Sequence, residues 1–129
     1  MIRPLLALLL ALFLGGAMPL AAWAGPVQWQ EVPAGPEGRQ WWDSGSLRLN
    51  RQGELSVLSR FSPAAKEGEK PARGQLYVMQ LNCGERLYRD QQVNGLPQLG
   101  AEWQLAQAEG LVAAVLSQAC AAAHDQGLA

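Results

Sequence analysis

Histidine occurs once and cysteine twice in this chain of 129 residues, which removes most catalytic and metal chemistry at the outset. The lone His124 sits in an alanine-rich tail with no Ser/Asp partner at a telling spacing, so a triad base has no frame around it. One histidine and two cysteines do not complete a closed zinc site. There is no Cys-x-x-Cys pair, no glycine-rich phosphate loop and no EF-hand pattern. The carboxylates Asp43, Glu54, Glu85 and Asp90 are spread through turns and sheet edges, without the pairing that glycoside hydrolysis requires. The expectation is a protein that is not an enzyme and that carries no catalytic residue, metal or cofactor.

A surplus of positive charge is missing as well. The chain opens with Arg3, an unbroken apolar stretch from Leu5 to Leu14, the breakers Gly15-Gly16 and Pro19, and the small-x-small tripeptide Ala22-Trp23-Ala24. This is the layout of a secretory signal peptide over residues 1–24, with cleavage after Ala24 and a mature chain starting at Gly25. The apolar stretch falls short of the roughly 20 residues of a membrane span, so no stable insertion is expected after cleavage. No cysteine stands at the cleavage site to take a lipid, and no twin-arginine pair precedes the apolar stretch, which points to the general secretory route. Cleavage removes Arg3 and no acidic residue, leaving nine basic against eleven acidic side chains and a net charge of −2. Such a chain lacks the basic footprint of a nucleic-acid binder or of a surface held to anionic lipid. The mature protein is expected outside the cytoplasm, periplasmic or secreted, as one domain over residues 25–129.

What is present reads as strands first and a helix last. Val27 to Val32 and Arg39 to Asp43 are short strand patterns separated by the Pro/Gly loop from Pro33 to Gly38. Ser46 to Asn50 alternates with Leu47 and Leu49 on one face, Asn50-Arg51-Gln52-Gly53 supplies turn residues, and Leu55, Val57 and Phe61 define the next strand face. Ser62 to Gly74, rich in charge, Pro and Gly and holding both lysines, reads as a solvated loop. From Gln75 the alternation is strongest, with Tyr77, Met79, Leu81 and Cys83 on one face and Leu76 and Val78 on the other. Glu85 to Asp90 continues the sheet after a kink at Gly84, and Val93 to Ala101, with Asn94-Gly95 and Leu96-Pro97, reads as a loop with weak strand character.

From about Gln107 to Ala123 the period becomes helical. Val112, Leu116 and Cys120 follow at intervals of four, flanked by Leu111, Val115 and Ala119, and Gly127 is a stop signal. Cys83 and Cys120 thus stand where core-facing side chains belong, on a strand and on a helix, in a chain addressed to an oxidising compartment. The simplest reading is a disulfide between them. The fold class expected is α+β, an antiparallel β-sheet with a C-terminal α-helix packed on it and tied by that bond.

The order Trp29, then Trp41-Trp42-Asp43, a strand pair, an alternating strand closing on Cys83 with Arg86 and Arg89 just after it, a Gly/Pro stretch, Trp103, and a helix reaching Cys120 resembles the surface-adhesin E family. The likeness spans nearly the whole mature chain, although the family usually carries tyrosines where this chain has Trp41 and Trp42. It implies the same sheet, helix and disulfide on an exported protein, and a binding role. Fold likeness alone does not transfer a ligand.

Recognition residues are sought among aromatics and arginines. Trp41 and Trp42 are consecutive, so on a strand they point to opposite faces, and only one can enter a one-sided core. Trp29 and Trp103 are expected in the core. Arg86 and Arg89 lie beside Glu85 and Asp90, the pattern of a solvated edge, yet they occupy positions the resemblance singles out. Asp43 before Ser44-Gly45 is a turn former. Trp41, Trp42, Arg86 and Arg89 are therefore the candidates for contact with a protein partner. Two functions stay open: an exported binding module of the adhesin E kind, or an accessory envelope protein that supports an assembly or pairs with itself as a homodimer.

Overall fold

The computed structural model describes residues 25–128, and the leader expected over 1–24 lies outside them. Eight strands form one sheet in which every pairing is antiparallel. They are β1 (Trp29–Glu31), β2 (Gly38–Asp43), β3 (Arg48–Leu49), β4 (Leu55–Pro63), β5 (Gln75–Asn82), β6 (Leu87–Val93), β7 (Leu96–Pro97) and β8 (Gln104–Leu105). The spatial order is β1-β2-β4-β5-β6-β7, with β3 also paired to β4 and β8 also paired to β6. The long strands β4 and β5 form the centre because they carry the unbroken alternation of apolar residues that a half-buried strand needs.

Turn chemistry sets the register. Asn50 accepts from the backbone N–H groups of Gln52 and Glu54 through its side-chain oxygen, closing the β3–β4 hairpin at the turn the sequence marks. Asn94 and Gly95, with φ of 51° and 80°, make the left-handed pair of a tight hairpin turn. The segment read as a loop with weak strand character is thus a hairpin whose return strand, β7, is only two residues long. Between β5 and β6 the chain reverses over Cys83 to Arg86, with Arg86 itself at φ 55°, so strand structure resumes at Leu87 rather than at Glu85.

Helix α1 (Leu111–Asp125) lies on one face, across β2 and β4. It starts four residues later than the periodicity suggests, after Gly110. Its buried line is Leu111, Val115, Ala119 and Ala123, joined by Ala113 and Leu116, while Val112 and Cys120 sit half-buried at the margin of the stripe. Alanines at 119 and 123 let the backbone approach the sheet closely. The helix ends as Gly127 forecasts: the Leu128 N–H donates to the Ala123 carbonyl and the Gly127 N–H to that of His124, with Gly127 at φ 74°. Against this line the sheet presents Trp42, Leu55, Val57, Met79 and Leu81, all buried. Among the described residues no α-helix lies on the opposite face.

Cys83, in the turn just after β5, bonds Cys120 on α1, with Cα atoms 5.8 Å apart. The expected α+β architecture and its staple are both present. Closing a loop of this separation, 37 residues, removes unfolded-state entropy worth about 4 kcal/mol in the chain-entropy model. Replacing Cys120 by Ser is expected to lower stability by about that amount in chemical denaturation, and mass spectrometry of the non-reduced protein is expected to show neither thiol open to alkylation.

Candidate functional site

The uncovered face of the sheet carries a stack of alternating rings and cations. On β2, Arg39 and Trp41 are two residues apart and share that face; on β4, Arg60 stands opposite Trp41 in the ladder; on β1, Glu31 stands on Trp41's other side. The Arg60 guanidinium lies 4.3 Å from the Trp41 ring centre and 5.0 Å from that of Trp29. Arg39 lies 4.8 Å from the Trp41 ring. The order is Trp29, Arg60, Trp41, Arg39. Arg39 is anchored in turn by a two-pronged bond to Glu31, 2.7 and 2.8 Å, and that hydrogen-bonded guanidinium holds the Glu31 carboxyl below the usual carboxylate range. Arg60 makes no side-chain hydrogen bond or direct ion pair among the described residues, although its charge also helps hold the Glu31 carboxyl down, after the larger effect of Arg39. Its N–H groups are held over two indoles and left open to solvent.

The adjacent tryptophans divide between the two faces. Trp41 is half-buried in the stack, whereas Trp42 is 4% exposed and donates its indole N–H to Gln118 of α1 at 2.9 Å. Beside them, Asp43 is buried and accepts from the N–H groups of Gly45 and Gln28, so it forms the expected turn and also fastens the chain entering β1. The two arginines singled out in the sequence are not brought together. Arg86 is exposed at the helix side of the β5–β6 turn, where it donates to Ser117 at 3.3 Å. Arg89 is on the open face, held by Gln80 at 2.6 Å and Glu54 at 3.6 Å, with Trp103 stacked on its guanidinium at 4.3 Å. Three strand spacings, about 14 Å, separate β6 from β2, so Arg89 and Trp41 do not form one cluster.

Trp29 and Trp103 are a correction. Both were expected in the core, and both are half-buried over arginines on the outer face. The interior is filled instead by Leu, Val and Met from β4 and β5 and by the small residues of α1, and an indole stacked on a cation is satisfied without full burial. Sequence reasoning also missed Arg39 and Arg60. The alternation Arg39-x-Trp41 was a usable signal for the first; Arg60 joins only through the β2–β4 register.

A second feature lies on the helix side. Because α1 covers β2 and β4, the β5–β6 half of that face beside the first helical turn stays open as a cleft of about 440 Å³. Its lining includes Phe61, Tyr77, Met79, Tyr88 and Val112, with Asp90 among them and Glu37 and Glu109 exposed in its lining. A register shift in the β5–β6 ladder leaves Asp90 opposite Met79 and Val93 opposite Tyr77, so Gln91 is an extra residue. Without the bulge the side chains beyond it would alternate onto the other faces. Both tyrosine hydroxyls are engaged by glutamine oxygens, Tyr77 with Gln75 and Tyr88 with Gln104. Asp90 has no hydrogen-bond or ion-pair partner among the described residues, and burial pushes its carboxyl above the usual range. The groups of His, Cys, Asp and Glu among the described residues include none that could hold a metal ion.

An antiparallel sheet with one C-terminal helix stapled to it by a disulfide makes the described residues an α+β domain with an aromatic-arginine outer face. Residues 30–126 match the surface adhesin-E family, and the chain belongs to it. No curated protein and no solved structure matches the chain.

Two outcomes follow for stability. Trp42→Ala is expected to cost about 3–5 kcal/mol as a core truncation that also orphans the Gln118 oxygen, while Trp41→Ala costs about 1 kcal/mol, the scale of exposed cation–π contacts; urea denaturation of both variants checks the contrast. For Asp90 the folded carboxyl holds its proton more tightly than the unfolded chain does. Its contribution to stability is therefore full below the unfolded pKa, about 3.9, and is lost as pH rises through the raised folded value. Asp90→Asn is expected to raise the thermal midpoint at neutral pH and to leave it unchanged in strong acid, as read by thermal scans at both conditions.

Proposed function

We propose that this protein is an exported, non-catalytic binding module that holds a protein partner at the cell envelope through the open face of its sheet. The observation that carries this reading is the Trp29–Arg60–Trp41–Arg39 stack. Tryptophan and arginine dominate the energetics of protein interfaces because they combine large contact area with directed donors. Here both kinds of side chain are ordered in advance on a rigid sheet, so little conformational entropy remains to be lost on contact. The Arg60 donors, which make no hydrogen bond among the described residues, suit carboxylates or backbone carbonyls of a partner.

Family membership supports a surface adhesin-type role, and a disulfide-bonded domain suits an oxidising space outside the cytoplasm. Among the described residues no helix is long and apolar enough to cross a membrane. Arg89 with Trp103 extends the aromatic-basic character along the same face, whereas Arg86, in the turn on the helix side, and Trp42, in the core, take no part.

The test is capture of partners from an envelope fraction by the tagged protein, with Trp41→Ala and Arg60→Ala run in parallel. Each substitution is expected to weaken capture by about 2 kcal/mol, roughly thirtyfold in affinity, while lowering folding stability by no more than about 1 kcal/mol. Partners retained equally by both variants would remove the open face from the function. Light scattering of the purified protein separates the accessory reading: a dimer that dissociates on Trp41→Ala places self-association on the same face.

A further inference from the structure

We propose that the cleft between the first turn of α1 and the β5–β6 half of the sheet is a binding site for an aliphatic organic cation, whose ammonium meets the Asp90 carboxylate while its hydrocarbon stem lies among Phe61, Tyr77, Met79 and Tyr88. The cleft's size, about 440 Å³, is within the usual range of small-molecule sites. Its charge has one sign. Asp90, Glu37 and Glu109 line it, and no lysine, arginine or histidine does.

Asp90 is the centre of the argument. A half-buried carboxylate still reached by solvent gains from a hydrogen bond or a cation, since water offsets its desolvation only in part. This one has neither among the described residues, although Tyr77 and Tyr88 are near enough that its charge adds to the burial which chiefly pushes both phenols up. The hydroxyls are oriented toward Gln75 and Gln104 instead. The titratable groups around Asp90 are Tyr77 from β5, Tyr88 from its own strand, Glu37 from the β1–β2 turn and Glu109 from the segment before α1; all are neutral or acidic. A cation arriving from outside is the missing partner. The β-bulge at Gln91 lies directly beside this carboxylate, and bulges beside sites re-aim side chains in this way.

The other lining residues select the kind of cation. A hydrated metal ion needs several oxygen ligands converging on one point, whereas here one inner carboxylate is surrounded by two phenol rings, a phenyl ring and a thioether. Aromatic faces attract alkylammonium groups, and the thioether accommodates a flexible methylene chain. The first turn of α1, whose N-cap Gly110 offers no side-chain oxygen, presents the positive end of the helix along one wall of the cleft. That polarity directs the ammonium away from the helix and toward Asp90. The site lies on the opposite side of the sheet from Trp41 and does not rest on the role proposed for that face.

The same chemistry is offered by a free aliphatic amine and by a lysine side chain of another protein, and the probes separate them. Purified protein is titrated calorimetrically with 1,5-diaminopentane, with N-acetyl-lysine amide, and with the neutral comparators 1-pentanol and N-acetyl-norleucine amide. At least one cation is expected to bind tenfold or more tightly than its neutral comparator, and to shift the Tyr77 and Tyr88 ring resonances. Tighter binding of the diamine identifies a diffusible amine, and tighter binding of the blocked lysine identifies a side chain. Asp90→Asn is expected to erase the preference, and Arg60→Ala to leave it intact. Equal binding of cations and neutral comparators, ring shifts absent from both tyrosines, or a cation preference that survives Asp90→Asn would overturn the site. Because the resonance shifts are read on the unaltered protein, the outcome does not depend on how well any variant folds.

Discussion

The bond between Cys83 and Cys120 governs the layout of this domain because it decides where α1 can lie. It anchors α1 to the turn at the end of β5, and from that anchor the helix runs over β2 and β4, where Ala119 and Ala123 allow it to sit close. A single fifteen-residue helix, about 22 Å long at 1.5 Å per residue, cannot cover an eight-stranded sheet. Everything not beneath it is open on that side, including the area around Tyr77, Tyr88 and Asp90. The staple thus stabilises the domain and leaves the cleft in the same stroke. For a domain whose described residues number little more than a hundred and whose core is small, a cross-link of this kind offsets a substantial part of the unfolded chain's entropy.

A nearly balanced charge is unevenly arranged on the two sides of the sheet. Arg39, Arg60 and Arg89 share the open face with Trp29, Trp41 and Trp103, and Glu31 and Glu54 on that face pair with Arg39 and Arg89. Asp90, Glu37 and Glu109 gather at the cleft on the helix side. The arrangement follows from strand alternation: on β4, Arg60 lies between Ser59 and Phe61, which face the helix, and on β6 Arg89 and Asp90 are neighbours sent to opposite faces. Net charge, which argues against nucleic acid and anionic lipid as partners, says nothing about such local fields. A sheet of this kind can present one chemistry to each side.

Much of the architecture was legible because it depends on short-range rules. Alternation through Tyr77, Met79 and Leu81, the turn chemistry of Asn50 to Gly53, the helical stripe and the stop at Gly127 are all local patterns, and each is realised. The division of Trp41 from Trp42 is local too, since consecutive strand residues diverge. Trp29 and Trp103 were misplaced because size and hydrophobicity suggest burial, while the arginines that cover them, Arg60 and Arg89, lie far away along the chain. No spacing in the sequence announces those contacts.

What the amino-acid sequence determined by itself is therefore the long strands and the C-terminal helix, though not the two-residue strands Leu96–Pro97 and Gln104–Leu105, together with the identity of the stapled pair and the fact that one of two neighbouring tryptophans must leave the core. These follow from periodicity, turn residues and the scarcity of cysteine. Tertiary structure alone decided which tryptophan that is, because only the position of α1 tells one sheet face from the other. It alone also built the ring-and-cation stack from β1, β2 and β4 and exposed Asp90 to an aromatic cleft without a partner. Those outcomes rest on strand order, on the two-versus-one count at Gln91 and on how far one helix reaches, and such quantities come into being only when segments distant in the chain are brought side by side.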